Sequence, residues 1–312
     1  MPELPDLTIY VESLQSRIVG QRLESIRLCN PFILRTVEPP SSSASGKIVK
    51  RVWRIGKRIV IELEGQFYIV IHLMIAGRFH WKKPIAKASG KVAHAAFDFA
   101  TGTLMLTEAS TKKRASIHLV KGAPDLAQFE RGGLELMDSS LELFREALLR
   151  ENRTLKRALI DPRLFSAVGN AYSDEILHHA GLSPLKLTRQ LTIEEILRLY
   201  HSTLTILNEW TERLRKKAGT GFPEKVTAFH VEMAVHGRFG QPCPVCGSKV
   251  QRIVYAENEC NYCPRCQTGG KMLSDRSLAR LLKDDWPKTI DELESGKSGS
   301  SRNAPSKQTT TG

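Results

Sequence analysis

Five cysteines lie between residues 243 and 266 of this 312-residue chain, and they constrain its fold more than any other feature. Cys243-Pro-Val-Cys246 and Cys263-Pro-Arg-Cys266 are two C-x2-C knuckles, and the interval between them is long enough for a β-hairpin. A segment of about 30 residues cannot bury a core of its own, so a metal would supply its folding energy. We therefore predict one structural Zn²⁺ ion, bound by Cys243, Cys246, Cys263 and Cys266.

Other interpretations of the cysteines remain open at this point. A C-x2-C pair can be a redox dithiol, although two knuckles at this spacing favour zinc. Cys260-Asn-Tyr-Cys263 is a further C-x2-C pair, and we prefer Cys263 and Cys266 as ligands because a proline follows the first cysteine in both knuckles. Cys29 stands apart from the cluster and is expected to be a small, buried apolar residue.

The charge of the chain points to a polyanionic partner. Lys and Arg total 46 against 33 Asp and Glu, which gives a net charge of +13, and the sequence pI is about 9.6. An acidic or fully disordered chain is excluded. The most apolar stretch, residues 67–76, is too short to span a bilayer and contains His72, and the N-terminus has no basic, apolar leader. We expect a protein of a reducing cytosol with no membrane association.

The hydrophobic pattern changes along the chain. A helix is predicted from Leu4 to near Gly20, since apolar residues recur there at helical spacing. Short apolar runs separated by glycine turns over residues 23–120 predict a β-sandwich or barrel. Residues 141–217 are helical by period, with interruptions at 161–162, 169–170, 181 and 184. A tail rich in Ser, Thr, Lys and Gly is expected to be disordered.

Four motifs occur in one order along the chain: Met1-Pro-Glu-Leu-Pro5, Gly56-Lys57, Ala167-Val-Gly-Asn-Ala-Tyr-Ser-Asp-Glu-Ile-Leu177, and His236-Gly-Arg-Phe-Gly-Gln-Pro-Cys-Pro-Val-Cys-Gly247. Together they resemble the formamidopyrimidine-DNA glycosylase and endonuclease VIII family, and the first motif is closer to the formamidopyrimidine branch. The resemblance implies an α+β multidomain protein, with an N-terminal β-sandwich and leading helix, a helix–two-turn–helix domain and a C-terminal zinc finger.

We place these units at residues 1–122 (catalytic β-sandwich), 140–236 (helix–two-turn–helix, DNA-binding) and 237–270 (zinc finger). A short helical extension over 271–294, with its helix at Asp275–Lys283, and a disordered tail over 295–312 would follow.

The N-terminal motif indicates a specific chemistry. Met before Pro is normally removed, and Pro2 would then present a secondary amine whose pKa, near 8 in a free chain, falls further at the start of a helix. Such an amine can attack C1′ of a deoxynucleotide, expel the base and leave an iminium, after which the strand breaks by β-elimination. The resemblance implies that Glu3 supplies the acid that opens the sugar and that Lys57 assists proton transfer. Otherwise Pro2 and Glu3 merely start a helix, and Lys57 is a solvated turn residue.

The resemblance also implies DNA contacts. Asn170, at the turn of the helix–two-turn–helix element, would bind a phosphate. The charges expected to face the DNA nearby are Arg150, Arg153, Lys156, Arg157 and Arg163, just upstream, and Arg238 at the entry to the finger. Glu175 would brace the fold. Lys112, Lys113 and Arg114 occupy the loop that in the family carries an aromatic wedge, so positive charge is kept and the aromatic plug is lost.

Two further positions depart from the family pattern. Aligning on His72 and Gly77 puts Ile75 at the family's void-filling Met, with Met74 one residue early; in a strand only one of them could face the DNA. Asn258 stands where the family usually has an Arg in the finger hairpin, which predicts that β-elimination products predominate over β,δ products. The loop over residues 218–228, which closes over the extruded base in the family, has no clear counterpart pattern.

The expected function is a bifunctional DNA glycosylase/AP lyase of base excision repair that removes oxidised purines (8-oxoguanine, formamidopyrimidines) from duplex DNA. We expect a monomer in a bacterial-type cytoplasm, associated with the nucleoid. The alternatives are a protein that binds lesions or abasic sites with reduced or lost turnover, a glycosylase for oxidised pyrimidines, and a structural zinc protein that binds RNA.

Overall fold

The computed structural model describes residues 1–88, 90, 92–224, 226–255, 258–274 and 287–295. The helix predicted over Asp275–Lys283 lies outside the described residues, as does the tail predicted over 295–312 apart from Ser295.

The chain begins with helix α1 (Leu4–Ile18), as its pattern predicts. Pro5 occupies the first turn, where its missing N–H costs nothing, and the Asp6 carboxylate accepts the backbone N–H of Glu3 at 2.9 Å. The buried face of α1 carries Leu7, Tyr10, Leu14 and Ile18. Gly20 follows with φ of +82°, so the chain can reverse into the first strand without strain.

Eight antiparallel strands form two four-stranded sheets, in the orders β1-β6-β7-β5 and β2-β3-β4-β8. The strands are β1 (Leu23–Leu28), β2 (Val49–Ile55), β3 (Arg58–Leu63), β4 (Phe67–His72), β5 (Gly77–Lys82), β6 (Ala93–Phe99), β7 (Gly102–Glu108) and β8 (Ser116–Lys121). Between β1 and β2 the chain forms two short 3-10 turns, Pro31–Ile33 and Ser41–Ala44.

The second sheet is covered on both faces, which explains why β3 and β4 are apolar at nearly every position. Ile59, Ile61 and Ile69 belong to the main core, whereas Val60 and Val70 pack with Phe129 in a smaller cluster on the opposite face. A strand buried on both faces reads as a continuous apolar run instead of an alternating one.

The helical part follows β8. It comprises α2 (Ala123–Ala127), α3 (Leu141–Leu149), α4 (Leu155–Ile160), α5 (Asn170–His179) and α6 (Ile193–Ala218), with a 3-10 turn at Thr188–Gln190. Helix α6 packs against both α1 and α5, and one cluster of buried apolar side chains runs from the sheets through these helices to Met233. The N-terminal sandwich and the helical part therefore share a core, which fixes their relative placement.

The C-terminal part is a small finger. A hairpin of β9 (Gln251–Tyr255) and β10 (Asn258–Tyr262) is followed by α7 (Pro264–Thr268) and, after the undescribed stretch, α8 (Ile290–Glu294). The β-sandwich with its leading helix, the helical domain and the finger confirm the predicted fold class. Among the described residues, no helix has the length and apolar character needed to cross a membrane.

Candidate active site

The carboxylate of Glu3 lies at the N-terminus of α5, although 166 residues separate the two in sequence. It is 3% exposed and accepts three backbone N–H groups, from Gly169 at 2.8 Å, Ala171 at 3.0 Å and Tyr172 at 3.1 Å. The first N–H groups of a helix have no intrahelical partner, and the helix dipole is positive there, so this end favours an acid. Nearby, Leu4 N donates to Ala167 O at 3.0 Å, which fixes the start of the chain against this turn.

Gly169 permits this approach. The φ of Gly169 is −136°, which any residue can adopt, so glycine is needed here because there is no room for a side chain and not because of the backbone conformation. A Cβ atom built at Gly169 would lie 2.5 Å from Glu3 Cδ and 2.5 Å from Lys57 Nζ. The absence of a side chain at this position therefore lets an acid and an amine from different elements meet.

Lys57 reaches this point from the turn between β2 and β3. Burial lowers the pKa of the Lys57 ammonium, while the nearby Glu3 carboxylate opposes that shift. A solvated turn lysine would show neither effect. The pKa of the N-terminal amine, carried here by Met1, is also lowered by burial, with Glu3 opposing and Arg78 adding to the shift. The structure thus brings together the chain's first residues, Glu3 and Lys57.

A cleft of about 940 Å³ opens in front of these groups, lined by Met1, the β2–β3 turn and the segments around residues 131 and 162. Its basic lining residues are Arg54, Lys57, Arg58, Arg131, Arg153, Arg157 and Arg163, and its acidic ones are Glu130, Glu135 and Asp161. His72 also lines the cleft, and burial lowers its pKa to about 4, so it is neutral at physiological pH. A positive cleft of this kind suits a phosphate backbone.

Three cleft arginines, Arg54, Arg58 and Arg131, were missed from the sequence. Arg54 donates to Glu135 and, at 3.1 Å, to Ser166 Oγ, and its position three residues before Lys57 could have drawn attention to it. Arg131 comes from a connecting segment that has no periodic pattern, so no sequence signal marked it.

Not all of the basic run over residues 150–163 faces the cleft. Arg153 lines it but is paired with Glu151 and Asp161. Lys156, expected among the DNA-facing charges, lies beside the turn and donates to Asn170 O at 2.6 Å, but it is only 5% exposed and also donates to Asp174 at 2.5 Å and Ser173 Oγ at 2.8 Å. That expectation is wrong, because the helical period of α4 turns this residue inward onto a buried acid.

Asn170 and Glu175 both join α5 to neighbouring segments. The amide of Asn170 donates to the Glu259 carbonyl of the finger hairpin at 2.8 Å. Glu175 is buried and accepts the backbone N–H groups of Ala234, Val235 and His236 at 2.7–3.0 Å, which is the bracing role expected of it. Arg238, expected among the DNA-facing charges, donates instead to the carbonyls of Met233 and Pro242.

Residues 74–76 form a turn between β4 and β5, so the strand alternation assumed for Met74 and Ile75 is wrong. The polypeptide reverses there, with Met74 at φ of +54°, and Ile75 is 53% exposed. Ile75 shares a small cavity of about 130 Å³ with Lys112 and Arg114. The loop of those basic residues is held by Glu108, whose buried carboxylate accepts Arg114 N at 3.0 Å and whose carbonyl accepts Lys113.

The four predicted zinc ligands converge. Cys246 Sγ lies 3.3 Å from Cys263 Sγ, and Cys243 Sγ lies 3.9 Å from Cys266 Sγ. Zn–S bonds of about 2.3 Å in a tetrahedron separate sulfur atoms by about 3.8 Å, so the set fits one ion. Asn258 lies at the exposed start of β10, on the finger hairpin. Cys260 lies on the same hairpin but is buried, and burial raises the pKa of its thiol. Cys260 is not among the described side chains that converge on the candidate metal site. The cluster is consistent with the one structural Zn²⁺ ion predicted from the sequence, and the assignment of Cys243, Cys246, Cys263 and Cys266 as its four ligands stays a prediction.

Cys29 is exposed, and its predicted burial is wrong. It follows the last residue of β1, where the chain leaves the sheet and its core, and its Sγ faces the Ala88 carbonyl at 3.6 Å.

Comparison with known proteins places this geometry in context. Residues 1–114 match the formamidopyrimidine-DNA glycosylase N-terminal domain, residues 135–220 the formamidopyrimidine-DNA glycosylase H2TH domain, and residues 240–269 the zinc finger found in FPG and IleRS. The chain is 32% identical over 275 residues to the formamidopyrimidine-DNA glycosylase of Solibacter usitatus, covering 86% of this chain and 99% of that protein. It is 31% identical over 281 residues to the protein of the same name from Heliobacterium modesticaldum, covering 86% and 100%.

Solved structures agree with these matches. The Fpg of Lactococcus lactis in complex with abasic-site DNA superimposes with a TM-score of 0.75 at 28% identity, covering 85% of this chain and 99% of that one. MutM in complex with DNA containing carbocyclic 8-oxo-G gives a TM-score of 0.74 at 28% identity, covering 86% and 100%.

Proposed function

The chain belongs to the formamidopyrimidine-DNA glycosylase family, and from that premise we propose that it excises oxidised purines, 8-oxoguanine and formamidopyrimidines, from duplex DNA through a covalent bond to Pro2. It is a DNA glycosylase of base excision repair with AP lyase activity. The observation that carries the proposal is the meeting of Glu3 and Lys57 over Gly169, beside the first residues of the chain and at the wall of a basic cleft.

The first half of the reaction uses Pro2 as nucleophile. Removal of Met1 leaves a secondary amine whose lone pair attacks C1′ of the damaged nucleotide, and the bond from C1′ to the base nitrogen breaks. Glu3 takes up the proton that the amine loses on attacking C1′ and delivers it to the ring oxygen of the sugar, which opens as the amine becomes an iminium. Lys57, whose ammonium pKa is lowered by burial, assists by supplying a proton to the departing base.

The second half breaks the strand. The iminium draws electrons from C1′ and so acidifies the proton on C2′, which a base can then remove. The electron pair of that C–H bond forms a C2′–C3′ double bond, and the 3′ phosphate leaves as the C3′–O bond breaks. Hydrolysis of the remaining iminium frees the enzyme. Glu3, once it has given up its proton, is placed to take the C2′ proton.

The DNA contacts follow from the cleft and the loops at its rim. The N–H groups at the N-terminus of α5 already bind Glu3, so Arg153 and the side chain of Asn170 would bind phosphates flanking the lesion. Asn258 would reach the DNA backbone from the finger. Ile75, with Met74 beside it, and the loop of Lys112, Lys113 and Arg114 would fill the space left by the extruded nucleotide.

One flipped nucleotide requires one site, so we propose a monomer that works on the nucleoid of a bacterial-type cytoplasm. The units proposed from sequence, 1–122, 140–236 and 237–270, would serve as catalytic, DNA-binding and zinc-finger parts.

Borohydride trapping tests the mechanism. The protein is incubated with duplexes that carry an abasic site, an oxidised purine or an oxidised pyrimidine, and borohydride reduces any Schiff base to a stable adduct. We expect an adduct on the first two duplexes, and Pro2→Gly or an N-terminal extension should abolish or sharply reduce it. Glu12→Gln, a change on the exposed side of α1, is the matched control and should trap like the unaltered protein.

The outcomes separate the alternatives. Binding without trapping on any duplex indicates a lesion-binding protein without turnover, and strongest trapping on the oxidised pyrimidine assigns the other substrate class. Mass spectrometry that finds Met1 retained on active protein excludes Pro2 as the nucleophile.

A further inference from the structure

Helix α5 contacts the finger along a single stripe. Asn170, Asp174 and His178 follow one another at four-residue steps and therefore lie on one face of the helix. Their partners in the finger are, in the same order, the Glu259 carbonyl at 2.8 Å, the Asn261 N–H at 3.1 Å and Cys243 Sγ at 3.3 Å. The last of these contacts brings an imidazole to the metal site from outside the finger.

His178 completes a second possible ligand set. Its ring nitrogen and the sulfur atoms of Cys243, Cys263 and Cys266 all lie within 4.8 Å of one another. With Zn–N of about 2.0 Å and Zn–S of about 2.3 Å, a tetrahedral site separates nitrogen from sulfur by about 3.5 Å. The 3.3 Å between His178 Nε2 and Cys243 Sγ is close to that value.

The four cysteines differ in exposure. Cys243 and Cys263 are buried and Cys266 is half-buried, whereas Cys246 is exposed. The sulfur most open to solvent and reagents is thus the one that is absent from the set containing His178. We propose that His178 is a reserve zinc ligand, which holds the ion with Cys243, Cys263 and Cys266 when the Cys246 thiolate is withdrawn.

A hydrogen bond from the His178 ring to the Cys243 thiolate is the other role that this distance permits. Such a bond orients Cys243 but provides no fourth ligand when Cys246 is lost. The two roles therefore predict opposite behaviour of the metal in a protein that lacks Cys246.

Zinc content and Co²⁺ absorption of full-length variants distinguish these roles. After dialysis against a chelator, Cys246→Ala should keep one equivalent of zinc. Its Co²⁺ form should stay tetrahedral, with the thiolate-to-metal band weakened by one thiolate's share. Cys246→Ala combined with His178→Ala should lose the metal. Cys246→Ala combined with His179→Ala is the matched control and should keep it, since His179 faces Ser202 Oγ at 2.9 Å instead.

Loss of zinc from Cys246→Ala itself would overturn the proposal. So would equal retention of zinc with and without His178, because water would then be the fourth ligand.

A second measurement starts from folded, zinc-loaded protein and avoids any variant that fails to fold. The exposed Cys246 is alkylated in a Cys29→Ser background, peptide mapping verifies the position, and a colorimetric chelator follows zinc release. We expect zinc to stay bound while His178 is present and to leave on the order of 10–100-fold faster in His178→Ala. Equal release rates with and without His178 would contradict a reserve ligand.

Discussion

At the scale of single residues, Gly169 governs the candidate site. It has no side chain and contributes a backbone N–H to Glu3, and the ends of the Glu3 and Lys57 side chains both lie within 2.5 Å of where its Cβ would be. The Glu3 carboxylate is held by three backbone N–H groups and can move only if those hydrogen bonds break, whereas the end of the Lys57 side chain can turn aside. A methyl group at position 169 would therefore displace the acid from its helix N-terminus.

Gly169→Ala is expected to lower the rate of base release by on the order of 10²-fold or more, because a general acid acts only when it is positioned. The overpacking should also cost about 1–3 kcal/mol of stability. Single-turnover cleavage and urea unfolding measure the two effects. Gly221→Ala is the control, since the nearest atom to its added Cβ is the Ala218 carbonyl at 3.3 Å. An unchanged rate in a destabilised Gly169→Ala protein would show that Glu3 does not need this placement.

A second residue-scale prediction concerns the products of strand cleavage. Asn258 is exposed and uncharged at the start of β10, so it can hydrogen-bond a phosphate without the pull of a cation. We expect mainly the β-elimination product from an abasic-site duplex, and a larger β,δ fraction from Asn258→Arg. Asn258→Gln should keep the original ratio. A gel on which the unaltered protein gives mostly 3′-phosphate ends would contradict this prediction.

At the scale of elements, α4 and α5 connect the cleft to the finger. Asp161 ends α4 and accepts Arg163 N at 2.9 Å and its guanidinium at 2.8 Å, with Arg153 on the same carboxylate. Hydrogen bonding by Arg163 is the main cause that lowers the pKa of Asp161 from 3.8 to about 2. A carboxyl with a depressed folded-state pKa stabilises the protein above its unfolded pKa and stops doing so as pH falls through the folded value.

The Asp161 contribution should therefore be complete above about pH 4 and disappear between pH 4 and 2. Asp161→Asn is expected to be less stable than the unaltered protein at pH 7, by at most about 2 kcal/mol, and the difference should vanish near pH 2. Thermal unfolding across this pH range measures it, with the exposed Asp125→Asn as the control. A constant difference at all pH values would exclude ionisation of Asp161 as its source.

Elements whose signals are local could be predicted from the sequence. These signals are the helical period of α1, the glycine turns of the sandwich and the spacing of the cysteine knuckles. Each depends on residues close together in sequence, so it can be recognised without knowledge of the tertiary structure. The DNA-facing role expected of Lys156 failed because burial against Asp174 depends on how α4 and α5 pack. Met74 and Ile75 were assigned to a strand that in fact ends at His72. The contact of His178 with Cys243 joins two segments 65 residues apart, and neither segment indicates it alone.

At the scale of the whole molecule, the excess of positive charge is unevenly used. Seven basic side chains line the cleft, against three acids. Other basic side chains form ion pairs within the protein: Lys156 pairs with Asp174, and Arg215 pairs with Glu12 and Glu212. The net charge of +13 therefore exceeds the charge that the cleft offers to DNA, and we expect the cleft residues to set the electrostatic part of binding.

Duplex affinity should fall steeply with salt, with a slope of about −0.9 in log K against log[salt] for each phosphate neutralised. Arg131→Ala should weaken binding and reduce the slope by about 1. Arg213→Ala should leave the slope unchanged, because its side chain pairs with Glu209 on the solvent face of α6. Fluorescence anisotropy at several salt concentrations measures both, and equal slopes for the two variants would mean that the cleft does not hold the phosphate backbone.

The close packing at Gly169 also limits how such an enzyme can diversify over evolutionary time. Any larger side chain at position 169 would move Glu3, so substitutions at the centre of the site are not tolerated. Variation remains open at the rim, where the turn of residues 74–76 and the loop of residues 110–115 carry exposed side chains. Descendants of this chain are therefore expected to change the damage they recognise by altering these loops, while the reacting groups stay the same.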